Sequence, residues 1–296
     1  QIMHPLLNIG AGNLAQAGMH FFLHLAHGRL GGAGVGGDDR IVVEEVVAHL
    51  EAGGDLSQVL VLTPSRLTAT MLRERLEERW PHATTGMPVH SHQAFGFAVL
   101  GHHARLTDAP APTLLTGADQ DAVLAELLAS VAQDDAAADA AGWPEAVRAA
   151  LGTQGFRDQV RDLFMRAVEH GVTAGELAEL DDRQGPDGTP GLWRAAGRLM
   201  REYEQVTALS SQAAVDAAWV VAAAADLLVV DDEVAEAAAG PLQLVLVDDA
   251  QELTAGTLAL VDALARRTPR ARWVLAGDPD AAVQGFRGAR PGAFLE

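Results

Sequence analysis

Two apolar runs late in the sequence each finish in carboxylates. The first is Leu244-Val245-Leu246-Val247-Asp248-Asp249-Ala250-Gln251-Glu252. The second is Trp273-Val274-Leu275-Ala276-Gly277-Asp278-Pro279-Asp280, followed by Gln284-Gly285-Phe286-Arg287-Gly288-Ala289. A buried strand that ends in an acid places that acid at the mouth of a parallel sheet, where such sheets bind ligands. An aspartate there can hold Mg2+ beside a bound phosphate. The pair of acid-ended strands therefore points to nucleotide chemistry.

Three segments bear on that chemistry. Gly31-Gly32-Ala33-Gly34-Val35-Gly36 precedes a helical pattern, and glycines before a helix N-terminus let backbone N–H groups close around phosphate. Gly31 and Gly36 have the spacing of G-x-x-x-x-G-K-[ST], but Gly37 stands at the Lys place and Asp38 at the Ser/Thr place. Asp39 follows, so two carboxylates would face a polyphosphate, which is repulsive unless a cation intervenes. A flexible glycine loop is the alternative reading of this cluster. In Asp248-Asp249-Ala250-Gln251, the first acid suits Mg2+ and the second stands where a phosphate-loop fold normally has a water-orienting Glu. Aspartate is one methylene shorter, a misplacement of about 1 Å that can cost ~100-fold in rate. Asp249 and Gln251 form the candidate catalytic pair. After the second strand, Phe286 could stack on a base and Arg287 meet a phosphate.

The elements that must position these groups are legible in part. Ile41 to Leu50 reads as a helix with Val42, Val46 and Leu50 on one face, ended by Gly53-Gly54. Gln58 to Leu62 reads as a buried strand and Arg66 to Trp80 as a charged amphipathic helix. Met87 to Leu100 reads as strand, turn and helix start. From residue 101 to 240 helical patterns dominate, with Phe156, Val160, Phe164 and Val168 on one face before Gly171. Asp134 to Gly142 reads as a loop or loose helix, and Asp181 to Gly188 and Asp231-Asp232-Glu233 as loops. Thr257 to Arg266 supplies a helix between the two acidic strands, which makes a βαβ unit. The expected architecture is α/β: a parallel core at residues 31–100 and 241–296, interrupted by an all-helical insertion at 101–240, after an atypical segment 1–30. Two separate domains, one α/β and one α, is the alternative.

Composition narrows the class. The 296 residues allow an ample core, and 49% hydrophobic content with 5% aromatic is globular and rich in helix formers. No apolar run is long enough to span a membrane, and the first residues lack the basic region of a secretory signal. The absence of Cys excludes disulfides and thiolate metal sites and fits a cytoplasmic location. A net charge of −19 argues against a nucleic-acid-coated protein, although a local basic track remains compatible with it. All 21 basic residues are Arg, so no lysine ammonium is available to any site formed by these residues. His20, His24 and His27 could share a helix face, but a zinc site needs a further ligand.

In order and spacing the motifs resemble the N-terminal motor half of UvrD/Rep-type superfamily 1 DNA helicases, over about residues 31–296. Val59 to Arg66 with Leu72-Arg73-Glu74-Arg75-Leu76 resembles motif Ia, and Val89 to Phe97 resembles the segment that follows it. Leu246 to Glu252 resembles motif II, and Gly277 to Ala289 the family's G-D-x-D-Q-S-I-Y-G-F-R-G-A. Leu115 to Asp121 and Phe156 to Arg161 are most similar to actinobacterial helicase–nuclease subunits of the AdnA type.

The resemblance implies a RecA-like phosphate-loop core that binds ATP and Mg2+ and moves on single-stranded or duplex-end DNA in repair or recombination. It implies the phosphate loop at Gly31, Gly34, Gly36, Gly37 and Asp38, and Mg2+ at Asp248. It places Thr63, Ser65, Ser91, Gln93, Phe95, Phe286 and Arg287 on the DNA side. A second helicase–nuclease subunit is the implied partner. The departures fall on hydrolysis: Gly37 and Asp38 replace the loop's Lys and Thr, Asp249 the Glu, Ala281 the γ-phosphate-sensing Gln, and Gln284 the Tyr. The strand expected to lead into the loop is nearly absent before Leu30. The resemblance also implies a second RecA-like core beyond Glu296, and these residues are not expected to unwind DNA by themselves. A non-hydrolysing structural subunit that binds DNA or a partner motor is the competing reading.

Overall fold

The computed structural model of the chain describes residues 37–81, 86, 88–183, 189–209, 214–278 and 289. In chain order, α1 (Gly37–Glu51), β1 (Val59–Thr63), α2 (Arg66–Arg79) and β2 (Val89–Ser91) come first. They are followed by α3 (His92–Leu106), β3 (Thr113–Leu114), α4 (Gly117–Gln133), α5 (Asp135–Ala140), α6 (Glu145–Arg148) and α7 (Gln154–Glu169). Next are α8 (Ala174–Arg183), α9 (Leu192–Leu209), β4 (Ala214–Val215), α10 (Val220–Val230) and α11 (Asp232–Ala239). The last are β5 (Leu244–Val247), α12 (Ala255–Arg267) and β6 (Arg272–Leu275). Contacts divide the chain into two compact units, one of residues 1–91, 241–253 and 268–296, the other of 92–240 and 254–267.

The first unit holds a four-stranded sheet in the order β2-β1-β5-β6, and every pair is parallel. Parallel strands need crossovers and bury both faces, so they read as unbroken apolar runs. VLVLT in β1 and LVLV in β5 are such runs, and all of their residues are buried. The register pairs Val59 with Leu244 and Val61 with Leu246. Those side chains join Val89 and Val274 on one face, where Val42, Val43, Val46 and Val47 of α1 and Ala69, Leu72 and Leu76 of α2 pack against them. Leu60, Leu62, Val245, Val247 and Trp273, on the opposite face, are buried as well. α2 begins at a capping box in which the Ser65 hydroxyl accepts from Thr68 N–H and Thr68 Oγ1 accepts from Ser65 N–H. The Arg73 guanidinium reaches across to the Val89 carbonyl (3.0 Å from Nε), tying α2 to β2.

The second unit is mainly helical. α8 packs along α9, and α10 packs on α3 and α12. Gly96 lets α3 approach α10, since a Cβ there would meet Val220 at 3.1 Å. Phe164, Tyr203 and Trp219 form a ladder with ring centroids 5.8 Å and 5.7 Å apart. The buried Asp216 carboxylate accepts from the Tyr203 hydroxyl (2.7 Å) and from Ala218 N–H (2.9 Å). Arg267 closes α10 by donating to the Leu228 and Val229 carbonyls, as basic side chains do at helix C-termini.

Several expectations are corrected. The span 101–240 is not all-helical: β3 and β4 pair in parallel, Thr113 with Ala214 and Leu114 with Val215. These runs are only two residues long, too short to show a strand period. Asp231-Asp232-Glu233 is a helix start rather than a loop. Asp231 accepts from Glu233 and Val234 N–H groups, and the acids that follow favour a helix N-terminus. Asp134 likewise caps α5, and Asp181–Arg183 belong to α8. α1 begins at Gly37, ahead of the first periodic apolar residue, Ile41.

Candidate functional site

Within the first unit, the carboxyl ends of β5 and β6 lie side by side. The ladder pairs Val247 with Leu275 and continues beyond both strands: Ala276 N–H donates to Val247 O, and Ala250 N–H donates to Ala276 O, each at 2.8 Å. On the other side of β5, Asp248 N–H donates to Leu62 O at 2.9 Å, which carries Asp248 level with Thr63 at the end of β1. Asp248 is 1% exposed. Its burial follows from strand register, because apolar residues fill every position of β5 before it.

Asp249 leaves the strand in the left-handed region, at φ 50 and ψ 47. Aspartate tolerates that conformation better than most residues. The bend turns the chain into a short 3-10 turn, Ala250–Glu252, and leaves Asp249 half-exposed beside the buried acid. Gln251 is buried at 3% exposure; its Nε2 donates to Asp249 Oδ1 (3.0 Å), and its Oε1 accepts from Asp278 N–H (3.1 Å). Gly277 is required for this closeness: a Cβ there would lie 2.4 Å from Gln251 Oε1. Neither role of Gly277 nor the tie to the Asp278 backbone is readable in advance. The only signal is a Gly-Asp pair directly after an apolar strand.

Asp248 fits a hard divalent cation. Mg2+ takes one or two carboxylates and completes its shell with water and phosphate oxygens, so a single buried carboxylate at a strand mouth is a suitable donor. Among the described residues no group of three or more His, Cys, Asp or Glu is arranged to hold a metal.

The remaining candidates fall in different settings. Thr63 is fully buried and its hydroxyl donates to Ser65 O (3.0 Å). The Ser65 hydroxyl serves the cap of α2, and Ser91 is 3% exposed at the end of β2. Burial, and then the Arg73 guanidinium, hold the neighbouring His90 imidazole below the usual histidine pKa. In the second unit, Gln93 Nε2 donates to Ala217 O (3.0 Å) and Phe95 is 6% exposed. Gly37 and Asp38 form the first residues of α1. Gly31, Gly34, Gly36, Phe286 and Arg287 lie outside the described residues, as do His20, His24, His27, Ala281 and Gln284. The second unit also has a cavity of about 130 Å³ beside Tyr203, Asp216, Trp219 and Arg161. Among the described residues no helix is long and apolar enough to cross a membrane.

No curated protein matches the chain. The family model for the UvrD/REP helicase N-terminal domain matches residues 29–296, which includes the sheet, both acid-ended strands and the helical unit. The chain belongs to the UvrD/REP helicase N-terminal domain family.

Proposed function

We propose that the chain is the nucleotide-binding motor domain of a UvrD-type DNA helicase whose hydrolytic machinery is eroded. The observation that carries this reading is the buried Asp248 at the end of a central parallel strand, in a chain that matches the helicase family over residues 29–296. The architecture proposed is a RecA-like phosphate-loop core at residues 31–100 and 241–296 with an insertion at 101–240. Gly31, Gly34, Gly36, Gly37 and Asp38 are the proposed phosphate loop. Asp248 is the residue proposed to hold Mg2+, with the metal neutralising phosphate charge when ATP is bound. Backbone bonding of Asp248 to β1 supports that assignment, because it fixes the residue at the mouth of the sheet.

Asp249 stands in the place of the water-orienting base, on a shorter arm. The reach it lacks predicts hydrolysis slower by about 100-fold even where ATP binds. Thr63, Ser65, Ser91, Gln93, Phe95, Phe286 and Arg287 are the DNA-side residues by resemblance to the family. Single-stranded or duplex-end DNA is the proposed track, in cytoplasmic repair or recombination.

The second reading is a non-hydrolysing subunit of an AdnA-type helicase–nuclease, binding DNA or a partner motor that consumes the ATP. One observation favours it: the sequence contains 21 basic residues and every one is Arg, so the phosphate-gripping Lys has no substitute of its own kind. Titration with a fluorescent ATP analogue and Mg2+ separates the two. Micromolar binding that is lost in Asp248→Ala supports the motor reading. Absence of binding at millimolar nucleotide, with DNA binding intact, sinks it in favour of the subunit.

A further inference from the structure

Three hydrogen bonds join the chain just beyond β5 to the chain just beyond β6. Two are backbone bonds that extend the strand ladder, Ala276 N–H to Val247 O and Ala250 N–H to Ala276 O. The third uses a side chain: Asp278 N–H donates to Gln251 Oε1 at 3.1 Å. The other end of the same amide is also engaged, with Gln251 Nε2 donating to Asp249 Oδ1 at 3.0 Å. The amide's orientation follows from its partners. A peptide N–H can only donate and an ionised carboxylate can only accept, so the oxygen faces Asp278 and the nitrogen faces Asp249.

Both polar ends of a buried side chain are thus engaged inside the protein, and Gln251 is 3% exposed. That leaves it poorly suited to act on a substrate and well suited to hold its neighbours. We infer that Gln251 is a positioning residue: its carboxamide locks the Asp249 carboxylate to the Asp278 backbone beyond β6, so that the ends of the two strands act as one piece. The inference rests on the reading of Asp248 and Asp249 as nucleotide-facing acids. No other side chain of this length makes the same pair of bonds. Glutamate keeps an acceptor for Asp278 but sets a second negative charge against Asp249. Leucine has the bulk and loses both bonds. Gly277 belongs to the same device, since any side chain there would occupy the position of the Gln251 oxygen.

The test uses the full chain, isotopically labelled, with Gln251→Leu and Gln251→Glu. Amide hydrogen exchange is read without nucleotide, with Val61 and Leu246 in the strands as internal controls. Loss of this part-buried hydrogen bond predicts exchange at Asp278 faster by about fivefold or more in Gln251→Leu, and close to wild type in Gln251→Glu. In single-turnover assays with ATP and Mg2+, the hydrolysis rate falls several-fold in both variants, because both free Asp249. An unaltered Asp278 exchange rate in Gln251→Leu, or a wild-type hydrolysis rate in Gln251→Glu, overturns the inference. If the wild type shows no hydrolysis, the exchange pattern alone decides whether Gln251 ties the two strand ends together; if it also shows no Mg2+-dependent binding of a fluorescent ATP analogue, the motor reading fails.

Discussion

A Cβ on Gly277 would lie 2.4 Å from Gln251 Oε1, 3.0 Å from the Ala250 nitrogen and 3.2 Å from the Gln251 nitrogen. The first of these contacts can be relieved by moving a side chain. The other two involve backbone already bonded to Ala276 O or held in the turn, so the strain has little room to disperse. Gly277→Ala is predicted to destabilise the chain by about 1–3 kcal/mol, read from urea denaturation. Part of that strain falls on Gln251. The double variant with Gln251→Ala should therefore be less destabilised than the sum of the singles, and additivity within about 0.5 kcal/mol would place the clash elsewhere.

The neighbouring Asp249 separates backbone strain from side-chain chemistry. Asp249→Gly and Asp249→Ala both remove the carboxylate that accepts from Gln251 Nε2. Only glycine is at ease at φ 50. The glycine variant is predicted to be more stable than the alanine variant by about 1 kcal/mol. Thermal melting of the two, side by side, checks this. Equal midpoints would mean that the turn relaxes out of the left-handed region once the carboxylate is gone.

These two residues also mark where the sequence stops being legible. The central strands were readable because a parallel strand buried on both faces leaves an apolar run with a fixed end, as in Leu244 to Val247. The helix at Arg66 was readable from its charged amphipathic pattern after Pro64. The acids at 248 and 249 followed from those ends. What could not be read were features set by tertiary register. That Gln251 turns inward, and that Gly277 must lack a side chain, depends on β6 lying beside β5 at one stagger. The same limit hid the pairing of β3 with β4, since two-residue strands carry no period. It also misassigned Asp231, whose carboxylate reads as solvated charge until the helix it caps is known.

A pH response should arise at His90. Burial, then the nearby Arg73 charge, lower its pKa in the folded chain below the ordinary histidine value of about 6.5. The unfolded chain consequently binds more protons than the folded one once pH falls below that value. Stability contributed by the neutral imidazole is complete above about pH 6.5 and is lost as pH falls toward the depressed folded pKa. Replacement by a non-titrating residue, His90→Gln, should flatten the slope of unfolding free energy below about pH 6.5 relative to wild type. Urea titrations at several pH values measure the slopes directly. Parallel curves for the two proteins would show that His90 charges as easily folded as unfolded.

In the helical unit, Tyr203→Phe isolates one hydroxyl. The phenyl ring retains the contacts with Phe164 and Trp219, at centroid distances of 5.8 Å and 5.7 Å. What disappears is the 2.7 Å bond to the buried Asp216 carboxylate, which keeps only the Ala218 N–H of its two donors. Burial, then the Asp216 charge, push the tyrosine pKa far up, so the hydroxyl remains a donor at any working pH. A buried carboxylate that loses a donor costs about 1–3 kcal/mol, and a melting curve of Tyr203→Phe should show that loss. The adjoining cavity sets the lower bound. At about 130 Å³ it is roomy enough for water to approach the carboxylate, with Arg161 and Asp216 as polar groups on an otherwise largely apolar wall. A loss below about 0.5 kcal/mol would mean that water replaces the hydroxyl, and that the cavity is hydrated in solution.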